Sequence, residues 1–175
     1  MKRRRIILAC IAAIVGVGCS GERGSGDTLG APTPLIDGFM SRQRASEVEN
    51  TLRAIGTTVT VLENGVTDDQ KSKLRQPLSV RVLNAAGFSY VGMKGDLRLE
   101  FVDDELAATW FYPNDVEQFD AEMKRRGSPV ESDKPVRTHP ATELRVGVDY
   151  RRRKYWAWED VNLRRKVERW IKKYA

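Results

Sequence analysis

Leu97-Arg98-Leu99-Glu100-Phe101, followed by Asp103-Asp104-Glu105 and then Leu106-Ala107-Ala108-Thr109-Trp110-Phe111-Tyr112-Pro113, is the stretch that decides the fold class. Apolar and charged residues alternate in its first piece, the pattern of a strand with one face on a core and one in water. The acidic triplet makes a short polar turn, and the aromatic run returns as the hairpin partner. Pro113 ends that strand because it has no N–H to give to a ladder. Asn114 or Asp115 then caps a helix running through Arg126, with Val116, Phe119 and Met123 on one stripe.

The same period extends in both directions. Upstream, Leu78, Val80 and Val82 alternate with Ser79 and Arg81, and Phe88, Tyr90 and Val91 follow Gly87. Downstream, residues 127–142 carry Ser128-Pro129, Pro135 and His139-Pro140 and read as an irregular connection. A second hairpin follows, with Leu144, Val146 and Val148 alternating, a turn at Arg151-Arg152-Arg153, and Tyr155 to Trp158 coming back. Asp160 or Asn162 opens a last helix whose Leu163, Val167, Trp170, Ile171 and Tyr174 lie on one side. At the other end, residues 36–55 predict a helix, with Val48, Leu52 and Ile55 on one face, Ser46 and Glu49 as a capping box, and Gly56 as its stop. Thr57 to Leu62 is a β-branched strand, Asn64-Gly65 a turn, and residues 66–77 a polar loop.

These elements predict an α+β fold: an antiparallel β-sheet with helices packed on one face. Residues 97–126 and 144–173 share an order of strand, charged turn, aromatic strand and helix, which raises a repeated β-β-α unit as a possibility.

The chain opens with Met1-Lys2-Arg3-Arg4-Arg5, an apolar run from Ile6 to Val17, and Gly16-Val17-Gly18-Cys19. A cationic start, a short apolar core and small residues before a cut site make a secretory signal. The run falls short of the roughly 20 apolar residues that a spanning helix needs. The segment resembles the signals of bacterial lipoproteins, whose lipobox ends in apolar, Gly or Ala, and Cys, although Gly16 stands where that family usually has Leu. The resemblance implies removal of residues 1–18 and acylation of Cys19; the Gly, Ser, Thr and Pro that follow make residues 19–35 a flexible tether, and the length that remains predicts one α+β domain over residues 36–175. Ser20 after the cysteine implies the outer membrane, facing the periplasm, rather than the inner one. Two or more acyl chains hold a protein stably on a bilayer where a single one does not.

That reading divides the charge. Lys2, Arg3, Arg4 and Arg5 supply four of the six net positive charges and leave with the signal. Residues 151–175 hold ten Lys or Arg against Glu159, Asp160 and Glu168, a balance of +7 beside an acidic body of −5 over residues 19–150. In an exported protein such an end points to envelope proteins or anionic lipid headgroups rather than nucleic acid. Cys10 lies in the signal and Cys19 takes lipid, so no thiol remains for a disulfide.

The candidate binding residues follow from this: Arg151, Arg152, Arg153, Lys154, Trp156, Trp158, Arg164, Arg165, Lys166 and Arg169, where rings and cations meet phosphates or an acidic partner. His139 is the only histidine and has no partner pattern for a triad or a zinc site. The paired acids Asp68-Asp69, Asp103-Asp104-Glu105 and Glu159-Asp160 read as turn and cap residues. No catalytic site, metal or cofactor is predicted. Phe39-Met40 through Leu52, with the strands after Leu78, resembles the small outer-membrane lipoproteins that serve the β-barrel assembly machinery. Together these lead to a non-enzymatic binding or scaffold module on a lipid anchor, with a periplasmic immunity-type lipoprotein as the alternative and an envelope-polymer hydrolase behind both.

Overall fold

The alternation at Leu97, Leu99 and Phe101 sits in the middle of a seven-stranded antiparallel sheet. The structure is a computed structural model that describes residues 30–67, 78–131 and 134–174; the signal, Cys19 and the cut site lie outside these residues. Helix α1 (Ala45–Ala54) leads into β1 (Thr58–Thr67), β2 (Leu78–Tyr90), β3 (Met93–Val102) and β4 (Glu105–Pro113). Helix α2 (Val116–Arg125), β5 (Val136–His139), β6 (Thr142–Val148), β7 (Lys154–Asp160) and helix α3 (Val161–Tyr174) follow. The strands lie in the order β1-β2-β3-β4-β7-β6-β5, so two sequential meanders are joined where Phe111 pairs with Trp156 and Thr109 with Trp158. The class is α+β, as the alternation predicts.

One face of the sheet carries the main core. Leu83, Ala85, Leu97, Leu99, Phe101, Phe111, Trp156 and Trp158 meet α1 through Val48 and Leu52 and α2 through Phe119 and Met123. Rings dominate it: Phe119 stands edge-on to Trp156 at 4.6 Å and tilted against Phe111 at 5.1 Å. Each such ring or aliphatic side chain stabilises the fold by about 1.5–3 kcal/mol through burial. Asp115 caps α2, its carboxylate accepting from Gln118 N at 2.9 Å.

The helices do not all share that face. Both faces of β2 are apolar by simple alternation, so Leu78 and Val80 look away from the main core while Leu83 and Ala85 look into it. Leu78, Val80, Val102 and Ala107 make a second apolar floor, and α3 lays Leu163, Val167, Trp170 and Ile171 on it. This also bears on the β-β-α echo. The order recurs, but rotating one hairpin onto the other across the antiparallel β4–β7 pair would put both helices on one face, whereas α2 and α3 lie on opposite ones.

Four local expectations are corrected. The first helix begins at Ala45 rather than 36, because Asp37, Gly38 and Arg42 hold left-handed φ values of 44°, 83° and 67° that no helix accommodates. Its box is formed by Arg44 N donating to Glu47 Oε2 at 3.2 Å, and not by Ser46 and Glu49. Asn64-Gly65 is strand, not turn: Asn64 pairs with Arg81 and Gly65 with Val80, after a bulge between Val61 and Glu63, because β2 is long enough to carry the ladder past them. The connection after α2, read as irregular, contains β5.

The folded domain also starts earlier than residue 36. Thr33 is buried, its N–H donating to Ser41 Oγ at 3.0 Å and its hydroxyl lying 2.6 Å from that of Thr142. Thr142 Oγ1 in turn lies 2.7 Å from Pro34 O, and Arg42 N donates to Leu106 O at 2.9 Å. Residues 33–44 therefore close one end of the sheet.

Candidate functional site

The ten candidate residues of the basic, aromatic C-terminus do not form one surface. Trp156 and Trp158 belong to the main core at 0% and 5% exposure, with Trp156 Nε1 donating to Pro129 O at 3.2 Å. Alternation puts Tyr155 and Ala157 on the other face beside Tyr112. The cations divide between the two ends of β7, a separation of roughly 23 Å at about 3.3 Å per residue.

At the β6–β7 turn, Asp149 gathers the loop. Its Oδ1 accepts from Arg151 N at 2.8 Å and Arg153 N at 2.9 Å, and its Oδ2 from Arg153 Nε at 3.2 Å. Partial burial works to raise the Asp149 carboxyl, but these bonds and the Arg153 charge outweigh it and hold it below the usual carboxylate range. Arg153 also reaches Asp96 at 3.7 Å and lies over the Tyr112 ring at 4.5 Å. Lys154 Nζ pairs with Asp120 at 2.8 Å, above the Trp156 ring. Arg151 and Arg152 stay exposed, Arg151 beside the open Tyr150 ring. An open hollow of about 530 Å³ lies here, lined by Asp96, Tyr112, Asn114, Arg152, Arg153 and Lys154. Asp96, Asp120 and Asp149 offset most of its positive charge.

On α3, Arg164 is a structural tie. Its Nη2 donates to Glu143 Oε2 at 2.7 Å and its Nη1 to Glu159 Oε2 at 3.1 Å. Lys166 Nζ pairs with Asp103 at 2.7 Å, pinning α3 to the β3–β4 turn. Arg165 and Arg169 are exposed. Asp160 is buried and caps α3, its Oδ1 accepting from Asn162 N at 2.8 Å.

The feature that sequence reasoning missed is a row of carboxylates. Cross-strand pairs place Glu63, Val82, Glu100, Ala108, Glu159, Glu143 and Arg137 on successive strands along one rung, on the α3 side of the sheet. Arg164, Arg145 at 4.0 Å and Arg137 at 3.1 Å tie down Glu159 and Glu143. Hydrogen bonds from Arg164 and Arg137 outweigh partial burial and lower the Glu143 carboxyl. Glu100 has no such cation among the described residues. Burial, with smaller contributions from Glu159 and Glu63, pushes its carboxyl up to about 8. Beside it a small hollow of about 20 Å³ is lined by Ala107, Ala108, Trp110, Glu159, Arg164 and Val167. Alternation shows that Glu100 faces away from Leu99, but nothing in the chain's order reveals that β7 lies two strands away and brings Glu159 alongside.

The free edge of β1 is the other unfilled feature. Among the described residues its outer backbone faces no strand, and Val61, Leu62 and Val66 are 50%, 52% and 60% exposed. His139 is exposed on the opposite edge strand, β5, and no group of three metal-ligating side chains occurs among the described residues. No described helix is long and apolar enough to cross a membrane. No family model matches the chain, and no curated protein matches it.

Proposed function

We propose that this chain is a lipid-anchored binding module of a bacterial envelope, non-catalytic, that holds an extended segment of a partner protein against the edge of its sheet. The observation that carries the reading is β1: ten residues of edge strand with Val61, Leu62 and Val66 in the open. An edge strand presents a row of unpaired N–H and C=O groups, and proteins that do not use such an edge blunt it with charge, proline or brevity. Here Glu63 and the bulge are the only such devices along ten residues. A strand added at such an edge gains affinity from main-chain hydrogen bonds and specificity from alternate side chains. The edge alone is narrow compared with the roughly 1,200–2,000 Å² that a stable globular interface buries, which favours an extended segment over a second folded copy. The cations at Arg151, Arg152 and Arg165 stand at the two ends of β7, away from this edge, and suit the orientation of the domain on an anionic surface better than partner recognition.

The reading is tested with Leu62→Lys and Val66→Lys, both at exposed positions. Loss of co-purification of the wild-type partners from solubilised envelope, with unchanged thermal unfolding, is expected. An unchanged set of partners contradicts it.

A further inference from the structure

We propose that the hollow between Glu100 and Glu159 is a binding site for one primary ammonium group carried on an apolar stem. This goes beyond strand addition at β1 and does not depend on it.

The argument starts from β4. Ala108 lies between Glu100 and Glu159 on one rung, and the small side chain leaves a gap that Ala107 and Val102 extend beneath Val167 of α3. At about 20 Å³ the gap accepts one group the size of a water molecule, since about 10–15 Å³ suffices for that. An ammonium is such a group. A sugar ring or a phosphate is too large, which also excludes a glycan from this place.

Charge selects the sign of the ligand. Along the rung Glu63, Glu100, Glu143 and Glu159 stand against Arg137, Arg145 and Arg164, an excess of one carboxylate. The three arginines are spent on Glu143 and Glu159, so among the described residues Glu63 and Glu100 are left without one, and of these two only Glu100 lines the hollow. Arg98, two residues along the same strand, turns to the Tyr112 hydroxyl at 3.3 Å and not to Glu100. A desolvated carboxylate without a counter-charge is costly and gains most from a cation brought to it. Val102 and Val167 wall the gap itself, and the partly exposed Trp110 supplies an aromatic surface along which the stem leaves it. Binding sets an ammonium against Glu100 and releases the proton that Glu100 holds below about pH 8, so affinity rises as pH approaches and passes that value. The groups facing Glu100 while it titrates are Glu63 from β1, Glu159 from β7 and Arg164 from α3.

The test uses the purified full chain and n-butylammonium chloride, with the Glu100 carboxyl carbon followed by NMR. A fall in the Glu100 pKa of about one unit on saturation, a tenfold coupling, is expected. Tetramethylammonium, too large for the gap, is expected to leave it unmoved. Glu100→Gln removes the charge and Ala108→Leu fills the space while keeping the charge; both are expected to abolish butylammonium binding, read in each variant and in the wild type from the shift of the Trp110 indole N–H, with intact near-UV circular dichroism as the folding check. A Glu100 pKa unmoved by butylammonium, or equal binding by Glu100→Gln, overturns the proposal and leaves the hollow a water site. A lysine peptide that outbinds its Nε-acetyl form and also cadaverine assigns the ammonium to a protein; the reverse order between peptide and cadaverine assigns it to a free amine.

Discussion

Glu100 and Glu159 line one hollow from strands that are 59 residues apart in the chain, with only Ala108 between them on the rung. One of the two is tied to Arg164 at 3.1 Å, while the other has its carboxyl raised to about 8. That asymmetry makes stability depend on pH. A carboxyl raised on folding keeps its proton in the native state after the unfolded chain has lost it, so the native state binds more protons between about 4.5 and about 8. Stability therefore falls with rising pH across this window and levels off above it. Glu100→Gln, which cannot ionise, is expected to match the wild type at pH 4 and to exceed it above pH 8 by on the order of 2–4 kcal/mol, an upper estimate for a group that keeps some contact with water. Urea unfolding at the two pH values checks this; parallel pH profiles of the two proteins contradict it.

Arg164 and Arg165 are neighbours in sequence with opposite roles. Arg164→Ala strands Glu143 and Glu159 without their shared cation, and a loss of about 1–3 kcal/mol is expected, less than for a fully buried pair. Arg165→Ala, exposed and on the outer side of α3, is expected to stay within about 0.5 kcal/mol of wild type. Chemical denaturation of both variants measures the contrast, and equal losses count against the assignment.

Trp156 and Tyr150 make a second contrast within one hairpin. Trp156→Ala empties the centre of the ring cluster and is expected to destabilise by about 3–5 kcal/mol, whereas Tyr150, 81% exposed, is expected to tolerate alanine. The midpoint of urea unfolding reads both.

Thr142 holds the N-terminal segment to the sheet through Thr33 and Pro34. Thr142→Val leaves those partners unsatisfied, with an expected loss of about 1–3 kcal/mol and faster proteolysis within residues 30–44 than elsewhere in the domain. Uniform protection over that segment contradicts the clamp.

Much of the fold is legible because its strands are half-buried. Leu97, Leu99 and Phe101, the Asp103-Asp104 turn with its φ values of 50° and 66°, Asp115 as a cap and the β6–β7 hairpin all follow from local chemistry. What is not legible depends on partners distant in sequence. Leu78 and Val80 show the same alternation as Leu97 and Leu99, and only the path of α3 determines that they serve the other face. Asn64-Gly65 carries a turn signal that the ladder with Arg81 and Val80 overrides. Arg164 looks like one solvated cation among several until Glu143 and Glu159 are brought beneath it. The acid rung is invisible for the same reason, since its members come from four strands.

Site-specific photo-cross-linking in the intact envelope tests the proposed function most directly. A photoreactive residue at Leu62 on the β1 edge is expected to give a discrete adduct with a partner protein, while the same residue at Val136 on the opposite edge, or at Tyr150 on the β6–β7 turn, gives none. Adducts from Val136 or Tyr150 with none from Leu62 contradict recognition at the β1 edge.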